Sequence, residues 1–214
     1  MRKKNFYVNF DKQFAELIKS KILNYGLKNI KLKSGIKTKS FYHGIYNNRY
    51  NLGDLIEISN VFGINIEDIY DNISYIYFRT GKQRGQNSLP MKLPKNFEEL
   101  FYLAGLFIGD GSNKKFIAGK NELADKVKAI CSNLEIYVKR VEGRDRTPEI
   151  HTTRTLVEIF NSLFDYPLKR KSHNVKISDF VLRSPDNYVS KLIRGYYDTD
   201  GCVEKSRSAV TISS

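Results

Sequence analysis

Apolar residues recur every three or four positions along much of the chain, which is the spacing of an amphipathic helix. Over residues 12–25 they form one apolar face of a predicted helix, which Gly26 ends. The same spacing predicts further helices, short ones near 28–33 and 38–46 and longer ones at 52–63, 121–134 and 153–164. Alternation of apolar and polar residues predicts strands at 114–118, 136–141, 148–152 and 203–213. The pattern therefore indicates a helical first part and a mixed second part.

Two apolar helical runs end in the same short pattern, ninety positions apart. The first run, 103–111, reads LAGLFIGDG, and the second, 193–201, reads IRGYYDTDG. Aligned residue by residue, the runs share three positions: Gly105 with Gly195, Asp110 with Asp200, and Gly111 with Gly201. Such an internal repeat predicts two helices that play equivalent parts in the fold.

The residues flanking the two runs predict where these helices begin and end. Asn96 followed by Glu99 has the spacing of a capping box. Residues 184–186 (Ser-Pro-Asp) suit the first turn of the second helix. Gly111 and Gly201 suit the left-handed conformation that commonly ends a helix.

Each run places an aspartate at the C-terminal end of its helix, where the backbone carbonyls make the potential negative. Helices that packed closely through small residues would bring Asp110 and Asp200 together. The small residues available for such a seam are Ala104, Gly105, Gly109 and Gly195. Adjacent carboxylates are typical of a divalent-metal site, so the repeat predicts one at the helix ends.

The paired runs resemble the motifs of the LAGLIDADG homing endonucleases, and in particular the two-motif, single-chain type associated with introns or inteins. The resemblance implies Mg²⁺-dependent hydrolysis of both strands of a long duplex DNA site, with no small-molecule substrate. It implies that Asp110 and Asp200 bind the metal, with Gly109 and Thr199 beside them. A lysine near the metal is expected to assist, and the candidates are Lys176, Lys171 and Lys120.

The same residues allow other structural and functional interpretations, of which some are disfavoured and two stay as alternatives. The Gly105-x-x-x-Gly109 pattern occurs in membrane helices, but this run is far shorter than the roughly 20 residues of a span. Residues 198–201 could belong to a calcium loop or to a haloacid-dehalogenase phosphatase site, but neither explains the repeat. A non-catalytic DNA-binding regulator and an RNA maturase on the same scaffold stay as alternatives. A self-splicing intein is disfavoured because the chain begins with Met1-Arg2.

Residues 12–75 resemble the Cro/repressor-like helix-turn-helix domains, through the turn at Gly35 and its spacing to the helix at 52–63. The resemblance implies an all-helical domain whose element after the turn enters the major groove of DNA. The residues presented there would be Lys37, Thr38, Lys39, Ser40, Tyr42 and His43. By the endonuclease resemblance, the later sheet also lies on DNA and presents Lys139, Arg144 and Arg146.

The net positive charge of the chain predicts a polyanionic partner. The endonuclease resemblance implies that this partner is double-stranded DNA. The 214-residue chain has a net charge of +13. Residues 1–50 hold 12 Lys or Arg against 2 Asp or Glu, a balance of +10. Two lone cysteines, and the lack of a signal or transmembrane run, predict a cytoplasmic protein without a membrane partner.

The expected architecture is α+β, in three parts. Residues 1–78 form the all-helical helix-turn-helix domain, 79–95 a linker, and 96–214 the endonuclease domain. The endonuclease domain contains one αββαββα half and the start of a second. Because 13 residues follow Gly201, enough for one strand, the second half is expected to be incomplete and this chain to be inactive.

Overall fold

A computed structural model describes residues 6–79, 89–112, 114–143, 146–167, 176–204 and 209–212, except for the side chains of 40, 60, 200–204 and 209–212. The chain divides into two compact units, Arg2–Leu93 and Pro94–Ser214. Within the described ranges, no helix is long and apolar enough to cross a membrane.

The first unit combines five helices with a four-stranded antiparallel sheet in its described part. The strands are β1 (Phe6–Phe10), β2 (Tyr50–Asn51), β3 (Ile73–Phe78) and β4 (Met91–Lys92), in the spatial order β2-β1-β3-β4. The helices are α1 (Lys12–Tyr25), α2 (Leu27–Ser34), α3 (Lys39–Asn47), α4 (Leu52–Phe62) and α5 (Ile66–Asp71).

The expectation of an all-helical first domain is therefore wrong. In β1, Phe6, Val8 and Phe10 are buried and alternate with half-buried residues, so the strand covers the core with one face. Its register places Phe6 opposite Phe78 and joins two distant segments of the chain. Five alternating residues are too few to distinguish a strand from a buried helical turn. Such a short strand is stable only with its partner strand, which lies far away in the sequence.

The predicted linker 79–95 also contains a strand. Met91 is fully buried, and it pairs with Ile76 of β3 at the edge of the sheet. Residues 80–88 lie outside the described residues.

The predicted helices of the first unit are present close to their expected bounds. Asp11 caps α1, because its carboxylate accepts a hydrogen bond from the Phe14 amide at 2.8 Å. Gly26 ends α1 with a φ of 83°, and Gly35 ends α2 with a φ of 69°. Both φ values lie in the region that only glycine adopts freely, so the two glycines set the boundaries of α2.

The second unit begins with a helix followed by two strands, and this order occurs twice before the last helices. Its elements are α6 (Glu98–Asp110), β5 (Gly111–Ser112), β6 (Lys115–Ile117), α7 (Asn121–Asn133), β7 (Lys139–Glu142), β8 (Pro148–His151), α8 (Arg154–Phe164), α9 (Asp179–Leu182), α10 (Asp186–Asp200), β9 (Gly201–Glu204) and β10 (Ala209–Ile212). Four strands form one sheet in the order β5-β6-β8-β7, while β9 and β10 form a separate antiparallel hairpin.

Three expectations about the ends of this unit's elements are wrong. Gly111 has an extended conformation (φ −75°, ψ 142°) because it begins β5 and pairs with Phe116. The Asn96 side chain accepts from the Glu98 amide at 2.9 Å, and α6 starts at Glu98 without a capping box. The single strand expected at 203–213 is a hairpin, because the polar residues 205–208 interrupt the apolar alternation.

Helix α6 lies at the centre of the second unit. Its residues from Leu100 to Phe107 are all buried, so the helix is apolar around its whole circumference. The Phe107 ring contacts three other aromatic rings, with centroid distances of 5.0 Å to Phe116, 5.2 Å to Phe160 and 4.8 Å to Tyr166. These contacts join α6 to the sheet, to α8 and to the segment after α8.

We expect Phe107→Ala to reduce the free energy of unfolding by about 3–5 kcal/mol, because the change removes a fully buried ring and leaves a cavity. Urea titration followed by circular dichroism measures the loss. Leu32→Ala is the control, since that side chain is 74% exposed and its removal should change stability by less than about 0.5 kcal/mol. Equal losses in the two variants would contradict the central position of α6.

Candidate functional site

Helices α6 and α10 pack backbone against backbone. A Cβ atom on Gly105 would lie 2.0 Å from the Leu192 carbonyl oxygen, and one on Gly195 would lie 2.2 Å from the Tyr102 carbonyl oxygen. No larger residue fits either position without moving a helix, because real Cβ atoms do not approach backbone oxygens so closely. The structure thus places Gly105 and Gly195 at a reciprocal contact between the repeated runs.

The other predicted seam residues lie on the same helix, α6. Ala104 is fully buried, and Gly109 is half-buried one residue before the helix ends. The repeat therefore corresponds to a close helix pair.

The predicted metal site is described only in part. Asp110 is the last residue of α6 and is half-buried, while the side chain of Asp200 lies outside the described residues. The Thr199 hydroxyl donates to the Tyr196 carbonyl at 2.8 Å, within its own helix. Among the described side chains, no group of three or more His, Cys, Asp or Glu could hold a metal ion. Mg²⁺ stays a prediction from the sequence, because the Asp200 side chain of the predicted pair lies outside the described residues.

Of the three candidate lysines, the structure describes two. Lys120 is exposed immediately before α7 and lines an open groove of about 390 Å³ together with Arg146. Lys176 is exposed before α9, and Lys171 lies outside the described residues.

The residues predicted to contact DNA are mostly at the surface. Of the first set, Lys37, Lys39, Tyr42 and His43 are exposed, Thr38 is half-buried, and the side chain of Ser40 lies outside the described residues. Of the second set, Lys139 is exposed on β7 and Arg146 is exposed with a φ of 59°, while Arg144 lies outside the described residues.

A polar cluster between α6 and α10 centres on Asp198, which the sequence did not single out. Its carboxylate accepts a hydrogen bond from the Tyr102 hydroxyl at 2.6 Å. The Arg194 Nε lies 2.8 Å from its other oxygen, and the Lys126 Nζ lies 3.3 Å from the oxygen that Tyr102 uses. Lys126 also lies 4.1 Å from the centre of the Tyr102 ring. The i,i+4 spacing of Arg194 and Asp198 is the one feature of this cluster that the sequence shows.

This cluster joins three helices in a partly desolvated position. The Asp198 side chain is 14% exposed, but Lys126 is 49% exposed and Arg194 65%, so solvent screens much of its attraction to the two cations. The pKa of Tyr102 is raised above its ordinary value, first by burial and then by the hydrogen bond to Asp198 and its negative charge, while Arg194 partly opposes the rise. Tyr102 therefore keeps its proton and acts as a hydrogen-bond donor across the helix pair.

In comparisons with known proteins, this chain matches a short part of much longer proteins. Elongation factor 2 of Methanopyrus kandleri is 34% identical over 99% of this chain and 16% of its own length. A probable translation initiation factor IF-2 of Methanocaldococcus jannaschii is 31% identical over 99% of this chain and 18% of its own length. The reverse gyrase of the same organism is 28% identical over 80% of this chain and 10% of its own length. No family model matches the chain.

Two further matches bear other names. At 26% identity the chain matches a DNA-directed RNA polymerase subunit and a glutamine–fructose-6-phosphate aminotransferase, both of Methanocaldococcus jannaschii. The chain spans less than a fifth of the length of each relative named here.

These relatives contradict the expected identity and activity. The two that match nearly the whole chain are named as translation factors, so the LAGLIDADG homing endonuclease, its Mg²⁺-dependent DNA cleavage and its intron or intein association are not supported. The same names contradict double-stranded DNA as the expected partner. They give no support to a helix-turn-helix DNA-binding regulator or to an RNA maturase either.

We expect Gly195→Ala to destabilise the second unit by about 1–3 kcal/mol, because the added methyl group would overlap the Tyr102 carbonyl. Helix propensity alone predicts the opposite, a gain of up to about 1 kcal/mol. The melting temperature of the variant, measured by thermal unfolding, distinguishes the predicted loss of stability from the predicted gain. Ser190→Ala, at an exposed position of α10, is the control for propensity and should be neutral or slightly stabilising. A more stable Gly195→Ala variant would show that the helices are further apart than described.

A double-mutant cycle tests the Asp198 cluster. We expect Tyr102→Phe and Asp198→Ala to show a coupling energy of about 1.5–3 kcal/mol, the range for a hydrogen bond to a charged group. Urea unfolding of the wild type, the two single variants and the double variant gives that energy. Glu98 with Asn187, an exposed pair at the other end of the same helices, serves as the reference and should couple by less than about 1 kcal/mol. Additive effects of Tyr102→Phe and Asp198→Ala would refute the contact.

Proposed function

We propose that this chain is a self-contained module that is carried within longer proteins of different activities, and that it does not supply the activities for which those proteins are named. The observation that carries the proposal is the distribution of the matches. Between 72% and 99% of the chain is matched in relatives whose names denote translation, DNA topology, RNA synthesis and amino-group transfer. A reaction specific to one of these proteins cannot explain a segment present in all of them.

The two compact units support an independent module. In the first unit, Val8, Ile18 and Leu52 are fully buried in a core built from both helices and sheet. In the second unit, α6 is surrounded by packed aromatic rings. Units that have their own cores can fold without the rest of a longer chain.

A second candidate is a working part of a translation factor. Both relatives that match nearly the whole chain are named as translation factors, and this observation favours a segment that contributes to their interaction with the ribosome or with a guanine nucleotide. The two candidates differ in whether the host protein needs the segment.

A chimaera distinguishes them. In elongation factor 2 of Methanopyrus kandleri, the matched segment would be replaced by the present chain in one variant and by a short Gly/Ser linker in another. For a separable module, we expect the linker variant to retain elongation activity in a reconstituted translation assay. Activity that is lost with the linker and restored by the present chain would overturn the module and support the translation-factor candidate. Separately, the 214-residue chain should unfold cooperatively by itself, and failure to fold would also contradict the proposal.

A further inference from the structure

Helix α3 presents a continuous polar and aromatic surface that nothing in its own unit covers among the described residues. Its members follow helical spacing, and we call them the α3 stripe: Lys39, Tyr42, His43, Tyr46 and Asn47, all exposed. The opposite side of the helix is fixed in the core. Phe41 is fully buried, and a Cβ on Gly44 would lie 2.0 Å from the Tyr50 ring, so the helix packs tightly on its inner side. The orientation of the stripe is therefore determined by core packing.

Two tyrosine rings form the centre of the stripe. The rings of Tyr42 and Tyr46 are parallel to within 2°, with centroids 6.4 Å apart. Tyr42 is 47% exposed and Tyr46 is 76% exposed. Large aromatic side chains this exposed gain little from the fold, and they are common where a protein contacts a flat ligand.

The segment that contains the α3 stripe has basic residues and no acidic ones. Residues 17–53 contain eight Lys or Arg and no Asp or Glu. Lys31 and Lys33 of α2 are exposed, as is Lys37 in the turn that leads to α3. Glu16 pairs with Lys19 at 3.3 Å, but the stretch itself contains no acid and keeps a large positive balance. This charge attracts a polyanion over distances of about a Debye length, roughly 8 Å at physiological salt.

We infer that the α3 stripe binds single-stranded RNA, with unpaired bases stacked on Tyr46 and Tyr42 and phosphates near the surrounding lysines. Aromatic rings recognise single strands because the faces of the bases are free there, whereas in a duplex neighbouring base pairs cover them. His43 and Asn47 add side chains that can donate to and accept from base edges and the ribose 2′-hydroxyl, a group that DNA lacks. The inference concerns the first unit alone and holds whether or not the chain lies within a longer host protein.

Binding by the full chain to a fluorescently labelled 12-nucleotide RNA of mixed sequence tests this inference, with fluorescence anisotropy as the readout. Tyr46→Ala should weaken the affinity by roughly 5- to 150-fold, the loss expected for one base stacked on an aromatic ring. Tyr46→Phe should retain most of the affinity, because it keeps the ring. Lys37→Gln with Lys39→Gln should weaken binding and lower its dependence on salt.

Tyr137→Ala is the matched control, since Tyr137 is 45% exposed in the other unit and should leave RNA affinity unchanged. The melting temperatures of the Tyr46 variants should equal that of the wild type, because the ring is at the surface. DNA of the same sequence, single-stranded and duplex, forms the comparison. Unchanged affinity in Tyr46→Ala, equal or tighter binding of either DNA, or an equal loss in Tyr137→Ala would each overturn the inference.

Discussion

The contact between the backbones of α6 and α10 is the constraint on which the second unit depends. At Gly105 and Gly195 there is no room for a side chain, so the two helices meet at a distance that only glycine permits. Once α6 is held there, its remaining circumference must be covered by other elements. The rings around Phe107 provide this cover from the sheet and from α8. The close contact also explains why the Tyr102 hydroxyl reaches Asp198 directly, without a bridging water.

How much of this could be predicted from sequence depends on whether the signal is local. The helices were predictable because their periodicity and their terminal glycines lie within one short window, as for α1 with Gly26. The pairing of β1 with β3 was not, since it joins residues about seventy positions apart and neither strand is long. The Asp198 cluster was missed for a similar reason. Its Tyr102 and Lys126 come from two other helices, and their positions depend on how those helices are rotated.

The repeated run at 103–111 and 193–201 shows the difference between predicting packing and predicting activity. Small residues at matching positions allow two helices to pack closely and so predict a close helix pair. The structure contains one at Gly105 and Gly195. The activity attached to that pattern came from resemblance, and the named relatives contradict it. A fold can carry unrelated functions, so the packing of two helices does not determine which reaction, if any, takes place at their ends.

The two units differ in net charge. Residues 1–93 contain 16 Lys or Arg and 7 Asp or Glu, a balance of +9 out of the chain's +13, while 94–214 contribute the remaining +4. In the second unit many described charges are paired within the unit, as in Lys115 with Glu149 and Arg140 with Asp125. In the first unit the acid-free stretch 17–53 has no carboxylates of its own to pair with its cations. Long-range attraction to a polyanion therefore comes mainly from the first unit, because that unit carries most of the net positive charge.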